Sequence, residues 1–334
     1  MLAGFIKSDL NVELRDIAVR ALAQDEIRVR VEACGICGSD FYCGSEAGTP
    51  FGHEVAGTII ELGSAVGRLK IGDRVALESA SACGVCDFCR DARQELCIAL
   101  RSIFQNNPSM GVAETLIAPA ISAIPYTGLT PAEACLQEPA GVAYDMVRLA
   151  DLTPESRLLL IGPGPIGLMA LELARSMGVR QVRVCGHAKR TGRYRLARKI
   201  GIDEWLEPDE LASADFGTGA PDRILVTAPP AMIPHAVRVA AKGAIISYVG
   251  LGWSAEQANI PFDLDSFHVR KLQLRGSFAS PALYGPAVLR ALRDGRIQPA
   301  HYLTHRFPLA QAAEAVRTAR FDPEAVKVVI ENIQ

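Results

Sequence analysis

The chain has 334 residues, of which 49% are hydrophobic and 22% are charged, and its formal net charge is −2. This composition is typical of a globular protein with a large core, and the length favours two domains. The nearly neutral charge argues against nucleic acid or an anionic membrane as partner. The longest apolar run, 158–171, is too short to span a bilayer, and the charged first residues do not fit a signal peptide. We therefore expect a cytoplasmic protein.

The first third of the chain predicts a β-rich domain. Apolar and polar residues alternate in EIRVRVEAC (26–34), HEVAGTIIELGS (53–64) and DRVALESA (73–80), as in half-buried strands. The segment KIGD (70–73) is typical of a turn. A helix is predicted near Ala132, with Thr130 as its N-cap and Pro131 at its first position.

From residue 157 onward, predicted strands alternate with helix-like stretches. The strands are RLLLIG (157–162), VRVCG (182–186), RILVTA (223–228), GAIISYVG (243–250) and LQLRGSF (272–278). This alternation predicts an α/β domain with a doubly wound parallel sheet. PLAQAAEAVRTARF (308–321) and AVKVVIE (325–331) add a helix and a strand. We therefore assign residues 1–143 and 280–334 to the β-rich domain and residues 144–279 to the α/β domain.

Four cysteines between residues 83 and 97 form the strongest local signal. Their pattern is Cys83-x2-Cys86-x2-Cys89-x7-Cys97. Four thiolates on one loop can close a tetrahedral zinc site and leave no open coordination position, so the predicted role is structural. An iron–sulfur cluster is the alternative. In a reducing compartment, metal binding or burial is more typical of these residues than disulfide formation.

A second group of residues has the chemistry of a catalytic metal site. Cys37, His53, Glu54 and Glu138 offer a thiolate, an imidazole and two carboxylates. A catalytic zinc needs three protein ligands and one open position for water or substrate. Each residue alone is more typical of an ordinary core or surface position than of a metal ligand. Their occurrence together with the cysteine lobe and a dinucleotide motif favours a metal site.

The dinucleotide motif is Gly162-x-Gly164-x-x-Gly167, which follows the strand RLLLI and opens a helix. Its glycines permit a tight turn, a close approach of the backbone to pyrophosphate, and close packing of helix on strand. Pro165 and Ile166 lie between the last two glycines, where the helix N-terminus would face the phosphates. The motif therefore predicts that this segment binds a nicotinamide dinucleotide.

The next strand predicts which dinucleotide is preferred. NAD-binding folds carry an acidic residue about twenty residues beyond the glycines, but here the strand ends at Gly186 and no Asp or Glu lies between Glu172 and Asp203. The basic residues that follow the strand end are His187, Lys189, Arg190 and Arg193. We predict that NADP(H) is preferred to NAD(H), with Arg190 and then Lys189 as the contacts of the 2′-phosphate, or Arg193 if the register of the loop favours it. The alternative is a solvated basic loop in an enzyme that binds NAD without the usual acid.

The motifs occur in a recognisable order along the chain. ACGICGSDFY, GHEVAGTI, KIGDRVA, the cysteine lobe, QEPAGVAYDM and IGPGPIGLMA together resemble the zinc-containing medium-chain dehydrogenase/reductase superfamily over nearly the whole chain. The polyol and threonine dehydrogenase branch is most similar, because Glu138 stands where other alcohol dehydrogenases have a cysteine ligand. The resemblance implies a GroES-like catalytic domain beside a Rossmann domain, an active site in the cleft, and two zinc ions per chain.

The resemblance also implies roles for single residues. Cys37 and His53 would be ligands of the catalytic zinc, and Glu54 or Glu138 would bind it directly or through water. Asp40 would orient the His53 imidazole. We also expect relatives of this kind to be homodimers or homotetramers joined edge to edge, with GAIISYVG as the edge strand.

The proton relay is expected to differ from that of many relatives. Ser39 resembles the hydroxyl that takes the substrate proton and passes it to the cofactor ribose. Tyr42 stands where many relatives end the relay in a histidine, and a phenol is a poorer shuttle at neutral pH. The stretch between Cys37 and His53 is also short, which predicts a more open substrate cleft.

The predicted substrate is a small secondary alcohol or its ketone, such as a polyol, a sugar alcohol or a cyclitol. Two other functions are compatible with parts of the sequence. One is a non-catalytic cofactor-binding protein, although such a protein need not keep a full ligand set. The other is a zinc-independent reductase of the same fold, which would not need the cysteine lobe.

Overall fold

The computed structural model describes residues 1–105, 107–261 and 263–332. It divides into two units, Met1–Gly141 with Ala279–Gln334, and Val142–Phe278. Within the described residues, each helix is too short or too polar to cross a bilayer.

The strands are β1 (Leu2–Ile6), β2 (Val12–Asp16), β3 (Glu26–Gly35), β4 (Thr49–Pro50), β5 (Glu54–Leu62), β6 (Arg74–Leu77), β7 (Ala80–Ser81), β8 (Arg101–Ser102), β9 (Thr115–Pro119), β10 (Ala123–Pro125), β11 (Arg157–Ile161), β12 (Gln181–Cys185), β13 (Glu204–Leu206), β14 (Arg223–Val226), β15 (Ile245–Tyr248), β16 (Gln273–Gly276), β17 (Leu303–Pro308) and β18 (Lys327–Glu331). The α-helices are α1 (Asp87–Arg90), α2 (Pro131–Ala134), α3 (Gln137–Leu149), α4 (Pro165–Ser176), α5 (Thr191–Ile200), α6 (Pro208–Ser213), α7 (Ile233–Val239), α8 (Ala255–Ala258), α9 (Leu264–Val269), α10 (Gly285–Arg293) and α11 (Ala312–Phe321).

The first unit is built around a sheet with the order β10-β6-β5-β3-β18-β17, in which β9 also pairs with β3. The long strand β3 alternates buried and less buried residues, as the sequence predicts. The turn predicted at KIGD is also present: the Asp73 N–H donates to the Lys70 carbonyl oxygen over 3.1 Å. Strand β18 pairs antiparallel with β3, so an element near the end of the chain completes a sheet begun in its first third.

The helix predicted near Ala132 begins as expected but is short. Thr130 Oγ1 accepts the Glu133 N–H, and the Glu133 carboxylate accepts the Thr130 N–H, which forms a capping box with Pro131 at the first position. Helix α2 ends at Ala134, and α3 begins at Gln137. The break places Glu138 in the first turn of a new helix.

The second unit contains a parallel sheet with the order β13-β12-β11-β14-β15-β16. Counted from β11, this is the 3-2-1-4-5-6 order of a doubly wound nucleotide-binding sheet. The order reverses between β11 and β14, and ligands of such folds bind where these strands end. Strand β11 lies at the centre, and its residues from Leu158 to Ile161 are buried, as expected for a parallel strand covered on both faces.

One prediction about this sheet is wrong. GAIISYVG forms β15, which lies between β14 and β16 and is therefore not an edge strand. The edges are β13 and β16. Burial explains the difference: Ile245, Ile246 and Ser247 are buried on β15, whereas no residue of β16 is buried and Gln273 and Gly276 are exposed.

Candidate metal centres and cofactor cleft

The four cysteines of the lobe, Cys83, Cys86, Cys89 and Cys97, form a single cluster of possible metal ligands. Their sulfur atoms all lie within 4.8 Å of one another. The Cys83–Cys89, Cys86–Cys89 and Cys86–Cys97 sulfur distances are 3.9, 3.5 and 3.9 Å. Zinc–sulfur bonds of about 2.3 Å would place tetrahedral sulfurs about 3.8 Å apart, so the cluster fits one zinc ion.

The electrostatics of the lobe also favour a bound cation. Backbone N–H groups of Cys89 and Ile98 donate to the Cys86 sulfur and lower its pKa to about 6. Burial and the neighbouring Cys86 sulfur raise the pKa of Cys89 to about 12. The four sulfurs therefore cannot all become thiolates at neutral pH unless a cation compensates their charge.

Two adjacent strand ends bring Cys37 and His53 together. Gly35 at the end of β3 pairs with Glu54 at the start of β5, so the residues just outside this pair lie side by side. Ligand atoms of Cys37, His53 and Glu54 lie within 4.8 Å of one another. The Cys37 N–H donates to the Asp40 carboxylate over 2.8 Å, which fixes the start of the 3-10 helix Gly38–Tyr42.

The His53 ring is held in an acidic environment. Its Nδ1 lies 3.6 Å from the Asp40 carboxylate, which is buried. Burial alone would lower the pKa of His53, but the Cys37 sulfur, Asp40 and Glu138 together raise it well above its ordinary value. The same negative surroundings would stabilise a metal cation, and Nδ1 facing Asp40 leaves Nε2 for coordination.

Glu54 is engaged by a residue that sequence reasoning missed. Lys327, the first residue of β18, donates from Nζ to both Glu54 carboxylate oxygens over 2.5 and 2.6 Å and to the Ile36 carbonyl oxygen over 3.1 Å. Both side chains are almost completely buried. A lysine inside the apolar run AVKVVI was the available signal, because a buried ammonium group requires a charged or polar partner.

Glu138 has a looser environment than Glu54. Its carboxylate accepts a long hydrogen bond of 3.5 Å from Ser79 Oγ and lines a small cavity of about 10 Å³ beside Gln137. Burial is the main cause that raises the pKa of Glu138. Glu138 lies outside the 4.8 Å cluster of Cys37, His53 and Glu54, but its charge acts on His53.

The two remaining relay candidates lie on the 3-10 helix after Cys37. Ser39 is half-buried, and the Tyr42 side chain is 50% exposed. Cys43 is exposed, and its thiol donates to the Asp40 carbonyl oxygen over 3.2 Å. Cys34, by contrast, is fully buried in β3.

In the second unit, the glycine motif lines a cleft of about 430 Å³ at the ends of β11, β12 and β14. Gly162 has a φ of +96°, and a Cβ atom there would lie 2.6 Å from the Ala228 nitrogen. A Cβ atom on Gly167 would lie 2.5 Å from the Gly162 carbonyl oxygen, whereas Gly164 faces open space. Pro165, Ile166 and Gly167 form the first turn of α4, for which Gly164 is the N-cap.

Most of the predicted basic residues reach this cleft. Gly186, His187, Arg190 and Arg193 line it, whereas Lys189 is exposed and does not. Arg193 is half-buried, and its buried Nε has no hydrogen-bond partner. Burial and the neighbouring Arg190 cation lower the pKa of Arg193 to about 10. Two arginines, Arg190 and Arg193, therefore line one cleft.

Comparisons with known proteins agree with this architecture. The alcohol dehydrogenase GroES-like domain matches residues 23–128, and the zinc-binding dehydrogenase family matches residues 165–292. Sorbitol dehydrogenase of Bacillus subtilis (strain 168) is 29% identical across 99% of this chain and 97% of its own length. L-galactonate-5-dehydrogenase of Escherichia coli (strain K12) is 28% identical across 92% of each chain. The structure of alcohol dehydrogenase TADH from Thermus sp. ATN1 is 27% identical and superposes with a TM-score of 0.87 over 99% of each chain.

A GroES-like unit with metal-ligand clusters and a Rossmann-like unit with a glycine-lined cleft define an alcohol oxidoreductase that uses zinc and a nicotinamide cofactor on a small-molecule substrate. The chain belongs to the zinc-containing medium-chain dehydrogenase/reductase superfamily, in its polyol dehydrogenase-like branch. This confirms the fold and the enzyme class that the sequence predicts.

Proposed function

We propose that the protein transfers a hydride between NADP(H) and a polyol, sugar alcohol or cyclitol, or the corresponding ketone. The paired arginines of the cofactor cleft carry the cofactor part of this proposal. The substrate class rests on similarity to proteins that are named sorbitol dehydrogenase and L-galactonate-5-dehydrogenase.

The preference for NADP(H) follows from charge. Arg190 and Arg193 repel each other, and the buried Nε of Arg193 lacks an acceptor. A 2′-phosphate carries about two negative charges and offers several acceptor oxygens to such a pair. An adenosine ribose without the phosphate offers no negative charge to this pair. Arg193 therefore joins Arg190 as the proposed phosphate contact, and the exposed Lys189 becomes a weaker candidate.

Replacing Arg193 by alanine should raise the KM for NADP by about tenfold to a hundredfold, because a charge-assisted hydrogen bond is lost. The KM for NAD should change by less than about twofold. The exposed Arg198 lies on the same helix outside the cleft, so Arg198→Ala is the matched control. Initial rates with both cofactors across a set of polyols and their ketones test the proposal. A wild-type preference for NAD, or an equal loss with both cofactors in Arg193→Ala, would contradict it.

For the catalytic zinc, we propose Cys37, His53 and Glu138 as protein ligands. Both Glu54 oxygens are already committed to Lys327, so Glu54 is better suited to balance the charge near the metal than to coordinate it. Asp40 orients the His53 ring. A zinc ion held there would lower the pKa of a substrate hydroxyl. With the cysteine lobe, this gives two zinc ions per chain.

Ser39 is proposed to accept the proton that the substrate hydroxyl loses. Ser39→Ala should lower kcat about a hundredfold at neutral pH and less at high pH, where deprotonation needs less help. Zinc content should be unchanged. A kcat–pH profile with metal analysis checks this, and a defect of equal size at every pH would assign Ser39 a packing role. Tyr42→Phe is the control for a relay through the phenol.

The oligomeric state and the location are further proposals. Strand β16 is an outer edge of the sheet of the second unit, and Val269 and Phe278 nearby are 68% and 69% exposed. Such an edge favours pairing with a second copy, as a homodimer or homotetramer. We also propose a cytoplasmic location. The proposed catalytic domain comprises residues 1–143 and 280–334, and the proposed cofactor domain comprises residues 144–279.

A further inference from the structure

The carboxylate of Glu207 forms a hydrogen bond with the turn that follows β12. Glu207 comes directly after β13, and its Oε1 accepts the Ala188 N–H over 2.8 Å and the Trp205 indole N–H over 3.3 Å. Its Oε2 lies 3.5 Å from Nδ1 of His187. The Ala188 hydrogen bond is the main cause that lowers the pKa of Glu207, which is therefore an anion at neutral pH.

The rest of the turn is fixed around this contact. The Gly186 N–H donates to the Leu206 carbonyl oxygen, and the Arg190 N–H donates to the His187 carbonyl oxygen, each over 3.0 Å. The Trp205 ring lies 3.3 Å from the position of a Cβ atom on Gly186. The turn thus contacts the end of β13 in two ways: through the backbone hydrogen bond to Leu206 and through the Glu207 side chain.

Glu207 does not line the cleft, although its neighbours in the turn do. His187 and Arg190 line the cleft. Ala188 lies between them, and its N–H donates to Glu207. The Glu207 Oε1 already has two donors, and its Oε2 faces His187. This geometry suits a residue that shapes the turn rather than one that accepts the ribose hydroxyls.

We propose that Glu207 is a positioning residue for the adenosine end of the cofactor site. Its oxygen sets the 186–190 turn and so presents His187 and Arg190 to the dinucleotide. The inference rests on the assignment of this cleft to the cofactor. It does not depend on which of the two dinucleotides is preferred, because the turn lies at the adenosine ribose in both.

The test compares two substitutions at Glu207. Glu207→Ala should raise the Kd for NADPH, measured by fluorescence titration, and the KM for NADP by about five- to tenfold, since the hydrogen bond that the Ala188 N–H donates to a charged acceptor is lost. The kcat should stay within about twofold. Glu207→Gln should remain close to the wild type, because an amide oxygen can still accept the Ala188 N–H.

Glu210 supplies the matched control. Its carboxylate accepts the Glu207 N–H over 2.7 Å and so caps helix α6, whose N-cap residue is Glu207. Glu210→Ala should lower the melting temperature and leave the Kd for NADPH unchanged. Equal Kd increases in Glu207→Ala and Glu210→Ala would overturn the proposal, as would an unchanged Kd in Glu207→Ala or a Gln variant as weak as the Ala variant.

The same titrations with NADH separate this proposal from the NADP preference. If the wild type prefers NADH but Glu207→Ala still weakens both dinucleotides, only the NADP preference fails. If the wild type prefers NADPH and Glu207→Ala binds it normally, only the positioning role fails. A selective loss of NADH in Glu207→Ala would make Glu207 a direct ribose ligand, which also overturns the positioning role.

Discussion

Replacing Cys37 by alanine should remove one zinc ion per chain and lower kcat/KM by at least about a thousandfold. The reason is that Cys37 and His53 are held together by the paired ends of β3 and β5, and no nearby thiol is placed to substitute within the described ligand cluster. Loss of a metal that stabilises several kcal/mol of developing charge corresponds to about three powers of ten in rate. The fold should persist, because Cys37 follows β3 and its side chain is only partly buried.

The measurements are elemental analysis of the purified chain and steady-state kinetics. Cys43→Ala is the matched control, since this exposed thiol lies six positions further along and outside the cluster. That variant should keep both metal content and turnover. A Cys37→Ala protein with full zinc content and wild-type activity would rule out the proposed catalytic centre.

Replacing Cys89 by serine should have a different effect, on stability rather than on chemistry. The lobe contains only the four-residue helix α1 and a 3-10 turn as regular helices, so a metal would supply much of its folding energy. We expect the loss of one zinc ion and a melting temperature lower by about 5 °C or more. Aggregation should increase, because Val85 and Ile98 on the lobe are already 67% and 77% exposed.

Calorimetry together with metal analysis measures this effect. Cys135→Ala is the control for losing a buried thiol, because Cys135 lies in the core outside both ligand clusters. It should keep its zinc. Unchanged melting and zinc content in Cys89→Ser would show that the four sulfurs do not form a structural site.

Local patterns predicted much of the fold and of the candidate site. The cysteine spacing, the glycine motif and the alternation in β3 are short-range signals. Each of them lies entirely within one segment of the chain. The N-cap at Thr130, followed by Pro131, is a signal of the same kind. These features depend on a few neighbouring residues, so the remainder of the fold does not alter them.

Features that join distant segments could not be predicted in this way. The contact between Glu54 and Lys327 depends on β18 lying beside β3. The contact between Glu207 and Ala188 depends on the parallel pairing of β12 with the three-residue strand β13. The edge strand was misplaced because an apolar run indicates burial but does not give the order of strands. The more polar sequence of β16 was the better indicator of an edge.

The pairing of β18 with β3 has a consequence for the order of events during synthesis. The cofactor unit is continuous, from Val142 to Phe278, so all of its strands exist before β17 and β18 have been made. Because domains generally fold as units while the chain emerges, the middle of this protein can reach its native form first. The part of β3 that pairs with β18 remains unpaired on that side until β18 has been synthesised. Lys327, the partner of the buried Glu54, is thus added only after the whole of this middle unit.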